Sequence, residues 1–343
     1  MNKLFRFLII IAFAGFFLSS CQSCNERKGD GQQNQDGKKS SEIEILNQKI
    51  KADTLNPEFY YDRSRYYLTV LDINNALADI NKAIQLNDEK ASYFVALSDI
   101  YLAMGKLPSC LDALKKAEGM DPADNEALLK LAEVYLILKD YNNTFEYTKK
   151  ALELDLINPV AHFIRAYAHM EVGDTALAIQ NFQAAADQDQ NYYEAYIELG
   201  SLYLVLKDPL ATGYFQTAIR IEPNRAEGYY LLGFTYQEME NIPGAIDSYE
   251  KLLVITPDFK QAHYNLGYIN LVYVNDFEKA VYYFSEAISN DPAYTDAYFN
   301  RGYSYELMGD FVNARKDYLK TLEITPNYER SIEGLNRLDS NME

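Results

Sequence analysis

Few residues in this chain could do covalent or metal chemistry, and their spacing argues against most of it. There are three cysteines and three histidines among 343 residues. Cys21 and Cys24 stand as CxxC, the spacing of a redox pair or of half a zinc site. No second CxxC and no paired histidines complete a tetrahedral ligand set, and three thiols make no disulfide framework. His162 and His169 lie seven residues apart and so share one helix face, yet no HExxH and no carboxylate completes a metal site with them. Nucleophile elbows, P-loops and Rossmann glycine patterns do not occur. The expectation is no catalytic residue, no metal and no cofactor.

Cys21 invites a different chemistry. Lys3 and Arg6 make a positive start, and Phe7 to Leu18 form an apolar run of twelve residues. Such a run is too short to span a bilayer and suits a secretory signal. It ends in Leu18-Ser19-Ser20-Cys21, which resembles the bacterial lipobox. The resemblance implies that 1–20 is a lipoprotein signal peptide and that Cys21 is the lipidation site, acylated with palmitate-like chains. An ordinary signal peptide cut elsewhere is the alternative. Each buried acyl methylene contributes about 0.8 kcal/mol, so the lipid alone would hold the protein at a membrane. Gln22 follows rather than an aspartate, which resembles the Gram-negative signal for the outer membrane. The expected location is the cell envelope, lipid-anchored and facing the periplasm. Residues 21–41 are polar and rich in Gly, Gln and Lys, the composition of a flexible tether. Ile43, Ile45, Leu46 and Ile50 mark an N-terminal capping helix over 42–56.

The formal net charge is −18, which argues against nucleic-acid binding and against adhesion to anionic headgroups. Two readings of that acidity stand. It steers a basic or neutral polypeptide partner, or it only keeps the protein soluble. Aromatic residues make up 14% of the chain, with 30 tyrosines and no tryptophan.

The elements that carry these residues follow from periodicity. Tyr229, Leu232, Gly233 and Tyr236 fall at i, i+3, i+4 and i+7, one face of a helix. Pro243 opens a second periodic run whose inner face is Ala245, Tyr249 and Leu252, and Pro257 stops it. The stretch 226–259 is thus a helix hairpin with two apolar faces, which needs neighbours on both sides. Eight units line up in register: 57–90, 91–124, 125–158, 159–192, 193–225, 226–259, 260–294 and 295–328. The fifth is one residue short around Lys207-Asp208-Pro209, and the seventh one long between Gly267 and Ala280. One column stays small throughout: Ser64, Ser98, Ala132, Ala166, Gly200, Gly233, Gly267 and Gly302. A second small column includes Ala76, Cys110 and Ala245, which makes Cys110 a buried small hydrophobe.

This pattern resembles the tetratricopeptide repeat (TPR) family. Tyr229, Leu232, Gly233, Tyr236, Ala245, Tyr249 and Pro257 reproduce its aromatic, L-G, Y, A, F and P positions, with tyrosine in place of tryptophan and phenylalanine. The resemblance covers 57–328. It implies an all-α fold: an α-solenoid, a right-handed superhelix of eight helix-hairpin repeats, with 329–343 as a C-terminal capping helix and tail. It also implies a concave groove lined by the first helices at positions two, five, six, nine and twelve of each unit. In the last three repeats these positions give Tyr230, Phe234, Tyr264, Asn265, Tyr268, Phe299, Asn300 and Tyr303 as peptide-binding candidates. Aromatics offer contact area at low entropic cost. In TPR domains that grip extended peptides, asparagines placed like Asn265 and Asn300 resemble backbone clamps. The competing reading is that these residues only support helix packing.

The amino-terminal repeats carry charge at the groove positions instead, with Asp62, Arg65, Asp99, Lys130 and Glu133. All three histidines, His162, His169 and His263, fall in aromatic columns and read as packing residues. The lysine–asparagine set by which chaperone-binding TPR domains hold a terminal carboxylate is missing. Asp296 occupies one of its places and would repel a carboxylate. The functional expectation is a lipid-anchored scaffold or adaptor of the bacterial envelope that binds a protein or an extended peptide. A structural subunit of an envelope assembly or secretion machine is the alternative, and a glycan-binding accessory or enzyme a third reading.

Overall fold

The computed structural model describes residues 32–340, with side chains from residue 42. The signal peptide, Cys21 and Cys24 lie outside the described residues. Eighteen α-helices and one π-helical turn account for the regular structure, with no strand among the described residues. The contacts divide the chain into two compact units, one up to Gln190 and one from Asn191.

The first unit opens with α1 (Gln32–Ala52), followed by four hairpins: α2 (Pro57–Thr69) with α3 (Ile73–Leu86), α4 (Ala91–Ala103) with α5 (Leu107–Met120), α6 (Asn125–Ile137) with α7 (Tyr141–Leu154), and α8 (Pro159–Glu171) with α9 (Thr175–Gln188). The second unit has α10 (Tyr193–Val205) with α11 (Leu210–Ile221), α12 (Ala226–Glu238) with α13 (Ile242–Ile255), α14 (Lys260–Ile269) with α15 (Phe277–Asn290), α16 (Thr295–Leu307) with α17 (Phe311–Ile324), and a closing α18 (Glu329–Ser340). Within each unit a hairpin packs on the next, and first helices of successive hairpins touch.

One expectation is corrected. Helix α1 starts at Gln32, so residues 32–41 are helical rather than tether, and it ends at Ala52 rather than at 56. Gln and Lys are good helix formers and no proline interrupts the stretch. Beyond its end, the Asp53 carboxylate accepts from the Leu55 amide in a local turn.

The small column explains the close approach within each hairpin. A Cβ on Gly233 would stand 2.7 Å from the Tyr249 ring, and one on Gly200 would stand 2.5 Å from Phe215. Where this column holds Ser64 or Ser98, the residue sixteen further on is aliphatic, Ile80 or Leu114. Bulk on one helix thus answers the lack of it on the other, and all four of these partners are fully buried.

Each second helix must start abruptly after a short turn. Asp72, Asp140, Asp174, Asn241, Asp276 and Asp310 cap six of them, their side chains accepting from the third amide. The residue before each cap is left-handed: Leu71, Lys139, Gly173, Glu240, Asn275 and Gly309 all have φ between 58° and 88°. The extra residue of the seventh unit is absorbed as a π-helical turn over Asn270–Val274. There the buried Asn270 amide donates to the Leu266 carbonyl at 2.8 Å.

Two ion pairs tie the first and last hairpins. Arg63 forks onto Asp79 at 2.6 and 2.8 Å and reaches Asn47 of α1 at 2.7 Å. Arg301 forks onto Asp317 at 2.7 and 2.8 Å and reaches Ser285 of α15 at 3.0 Å. Asp79 and Asp317 are both buried. Among the described residues no helix is long and apolar enough to cross a membrane.

The left-handed turns yield a prediction. An L side chain costs about 1 kcal/mol in that conformation, and Glu240 is exposed with φ 58°. Glu240→Gly should raise stability by up to about 1 kcal/mol, and Gly173→Ala (φ 88°) should lower it by a similar amount. Urea unfolding midpoints measure both, and equal midpoints for the two variants would contradict the strain.

Candidate functional site

The eight peptide-binding candidates all lie in the second unit, at repeated positions of α12, α14 and α16. Five of them, Tyr230, Tyr264, Tyr268, Phe299 and Tyr303, take part in ring contacts. Tyr230 lies 5.4 Å from Phe259 and 6.2 Å from Tyr249, ring centre to ring centre. Tyr264 stacks on Tyr294 at 5.0 Å and also meets Phe284 at 5.6 Å. Phe299 packs against Tyr303, Tyr318 and Tyr328 at 6.4, 5.8 and 5.5 Å. Tyr268 meets Tyr273 of the π turn edge to face at 6.4 Å.

The two asparagines reach backward in the chain to tyrosine hydroxyls. The Asn265 amide donates to Tyr249 of α13 at 2.9 Å, and the Asn300 amide donates to Tyr264 of α14 at 2.9 Å. Asn265 thus bonds to the ring that fills the Gly233 gap, whereas Asn300 bonds to a candidate residue. Phe299 (8% exposed) and Asn300 (7%) are buried, so their surfaces go mainly into positioning Tyr264 and the last hairpin. Tyr230, Phe234, Tyr264, Asn265, Tyr268 and Tyr303 are half-buried. Burial and then the nearby Asp296 push the Tyr264 hydroxyl up to about 12, so it stays a neutral hydroxyl. Asp296 is exposed and accepts from the Tyr328 hydroxyl at 2.7 Å. This face therefore offers neutral donors, acceptors and ring surfaces.

The first unit is different. On α4 and α6 the Lys130 ammonium lies 2.6 Å from Asp99 and 3.9 Å from Glu126. Burial works against that charge, but Asp99, Glu133 and Glu126 outweigh it and hold Lys130 above the usual lysine range. Glu133 is only 9% exposed. Burial pushes its carboxyl up to about 7; Lys130 opposes that, and Asp99 and Glu126 add to it.

The remaining cysteine and histidines among the described residues are packed or paired. The Cys110 thiol is buried and pushed up to about 12 by burial and then by Asp99, so it is not a nucleophile. His263 is buried with Nε2 donating to the Pro257 carbonyl at 2.8 Å. His162 lies 3.4 Å from Asn181, and His169 packs 4.6 Å from the Phe145 ring. Among the described residues no group of three His, Cys, Asp or Glu is placed to hold a metal. Sequence reasoning missed the Arg63–Asp79 and Arg301–Asp317 pairs. Their signal was present as an arginine just before the small column with an aspartate sixteen residues on, in the first and last units.

Models of the tetratricopeptide repeat match residues 95–155, 165–226, 226–259 and 295–328, together more than half of the chain. The chain is similar to the DnaJ homolog subfamily C member 7 homolog of Dictyostelium discoideum, with 22% identity over 316 residues covering 83% of this chain and 57% of that protein. It is also similar to Hsp70-Hsp90 organizing protein 1 of Glycine max, with 24% identity over 236 residues covering 64% and 39%. It thus spans less than two thirds of the length of these relatives. Among solved structures, the C-terminal part of a TPR repeat-containing protein from Cytophaga hutchinsonii aligns with a TM-score of 0.61 at 21% identity, over 70% of this chain and 98% of that one. That likeness is one of fold.

Glu133 carries a stability prediction. Its folded pKa of about 7 lies above the ordinary 4.5, so the folded chain keeps a proton that the unfolded chain releases. Stability should be full below about pH 4.5 and fall as pH rises toward about 7. Glu133→Gln removes that loss. It should stabilise the protein by roughly 1–3 kcal/mol at pH 8 and change little at pH 4, measured by denaturant unfolding at the two pH values. A gain of equal size at both would contradict the desolvated carboxylate.

Proposed function

This chain belongs to the tetratricopeptide repeat family, and on that premise we propose that it is a polypeptide-binding scaffold whose partner lies across the first helices of the second unit. One observation carries this reading: six half-exposed residues at repeated positions of α12, α14 and α16 present rings and neutral hydrogen-bonding groups side by side. An extended peptide offers what such a face can use, apolar side chains for the rings and backbone amides and carbonyls for Asn265. Similarity to proteins named for organizing Hsp70 and Hsp90 supports a polypeptide partner. With Asp296 exposed at the last hairpin, a partner gripped by its terminal carboxylate is disfavoured, while a basic or neutral segment suits the acidic chain. The lipobox-like Leu18-Ser19-Ser20-Cys21 supports a protein anchored by lipid at Cys21 in a bacterial envelope, at the outer membrane facing the periplasm.

A second reading, a permanent subunit of an envelope machine, draws on the turn of the last hairpin. There Leu307, Met308, Phe311 and Val312 are exposed, Val312 by 81%. Contacts through that turn would leave the first-helix face idle.

Two experiments test these readings. A photocrosslinker at position 234 in cells should trap a polypeptide, and adding Asn265→Ala with Tyr268→Ala should reduce that adduct at least tenfold while the protein stays folded by circular dichroism. Unchanged adducts, or adducts obtained only from position 312, would favour the permanent subunit. Cys21→Ala should shift the protein from the membrane pellet to the soluble fraction, and continued firm attachment would refute the lipid anchor.

A further inference from the structure

Three carboxylates gather around Lys130 on the first-helix face of the first unit, and one of them is left over. Lys130 contacts Asp99 and Glu126. Arg65 of α2 is drawn to the same two carboxylates and donates to the Tyr61 hydroxyl at 3.3 Å. Glu133 receives neither cation at bonding distance. Among the described residues it makes no hydrogen bond, and no cationic nitrogen lies within 4.0 Å of its carboxylate, although the residue is nine-tenths buried. Arg165 of α8, whose buried Nε has no partner, is not among the charges that act on Glu133. Lys150 of α7 pairs with Glu118 and Glu146, and Lys115 of α5 pairs with Glu118. On α8, His162 faces Asn181 and His169 faces Phe145. The Cys110 thiol, beside the cluster, is buried.

A largely buried side chain whose carboxylate has no protein donor is destabilising, and that cost is offset where a partner arrives from outside. Glu133 occupies position nine of its unit, the same first-helix position as Tyr268 and Tyr303 of the second unit. Its electrostatic neighbours Lys130, Asp99 and Glu126 all stand on first helices. The group that would complete the cluster is a cation with hydrogen-bond donors, small enough to reach a nearly closed site at the end of an alkyl stem.

We propose that Glu133 is the docking point for a cationic side chain, lysine or arginine, of a polypeptide lying across the first helices α4, α6 and α8. The proposal rests on the reading of the chain as polypeptide-binding, but it concerns the first unit alone, so it and the tyrosine–asparagine face can fail separately. Docking replaces a proton on Glu133 with the incoming cation, so affinity falls as pH drops through the range in which the free carboxyl takes up its proton.

The test uses the full chain and three fluorescent peptides of alternating serine and a second residue, which is lysine, arginine or acetyl-lysine. Fluorescence anisotropy at about pH 8 should show the lysine or the arginine peptide binding at least about tenfold more tightly than the acetylated one; whichever binds more tightly identifies the head group. Glu133→Gln should lose at least about tenfold for the charged peptides. Glu89→Gln, which removes an exposed carboxylate and the same unit of net charge, should lose less than about twofold. Wild-type affinity should fall between about pH 8 and about pH 6, and that of Glu133→Gln should stay flat. The Asn265→Ala, Tyr268→Ala variant should bind the charged peptides like the wild type, which separates this site from the other face. Equal binding of the acetylated and charged peptides, equal binding by Glu133→Gln and wild type, or equal losses for Glu133→Gln and Glu89→Gln would each overturn the proposal.

Discussion

The structure depends on the contact between a small residue of a first helix and the side chain of its second helix that fills the space left, most tightly where glycine faces an aromatic ring. Gly233 has no room for a methyl group because the Tyr249 ring lies where it would go, and Gly267 and Phe284 repeat the arrangement at 2.8 Å. Removing a side chain there lets two helix backbones approach, and the ring that enters the space buries apolar surface worth roughly 2–3 kcal/mol. The hairpin so formed still has two apolar faces, and stacking on the next hairpin covers them. Neither helix would be stable alone at 10 to 14 residues.

The same packing supplies the candidate face. Tyr249 closes the Gly233 gap with its ring and accepts from Asn265 with its hydroxyl. Asn265 is therefore oriented by the core, and its remaining hydrogen-bonding capacity is directed by a side chain that cannot easily move. Asn300 bonds to Tyr264, itself stacked on Tyr294. A surface built in this way is preorganised, which lowers the entropy lost when a flexible partner binds. The first unit uses its first helices differently. Lys130 and Asp99 compensate one another at 2.6 Å, and the charge that stays uncompensated belongs to Glu133.

Much of the fold was legible in the sequence. Tyr229, Leu232, Gly233 and Tyr236 specify a helix face by spacing alone, and the eightfold column of small residues specifies hairpins. The left-handed turns were legible only where glycine marks them, at Gly105, Gly173 and Gly309. At Leu71, Lys139 and Glu240 the residue types give no sign of the conformation, which follows from the geometry of the turn and the cap after it. The candidate face was legible as positions but not as bonds. Asn265 and Asn300 are equivalent in sequence, yet they donate to tyrosines on a second helix and on a first helix respectively. The isolation of Glu133 could not be read from α6, because a charged residue on an amphipathic helix normally reads as solvated, and only the packing of adjoining hairpins desolvates it.

The ion pairs of the first and last hairpins bear on how an array of look-alike parts assembles in one order. Apolar faces of similar shape discriminate poorly between neighbours, so hairpins could dock out of sequence. Arg63 and Arg301 each hold a buried aspartate with two donors and extend a third to a polar side chain on the preceding element, Asn47 or Ser285. A misdocked hairpin with a lysine at the place of Ser285, as Lys115 or Lys149 would be, meets that third donor with a like charge. The terminal hairpins thus discriminate against some neighbours by a charge test that a purely apolar interface lacks.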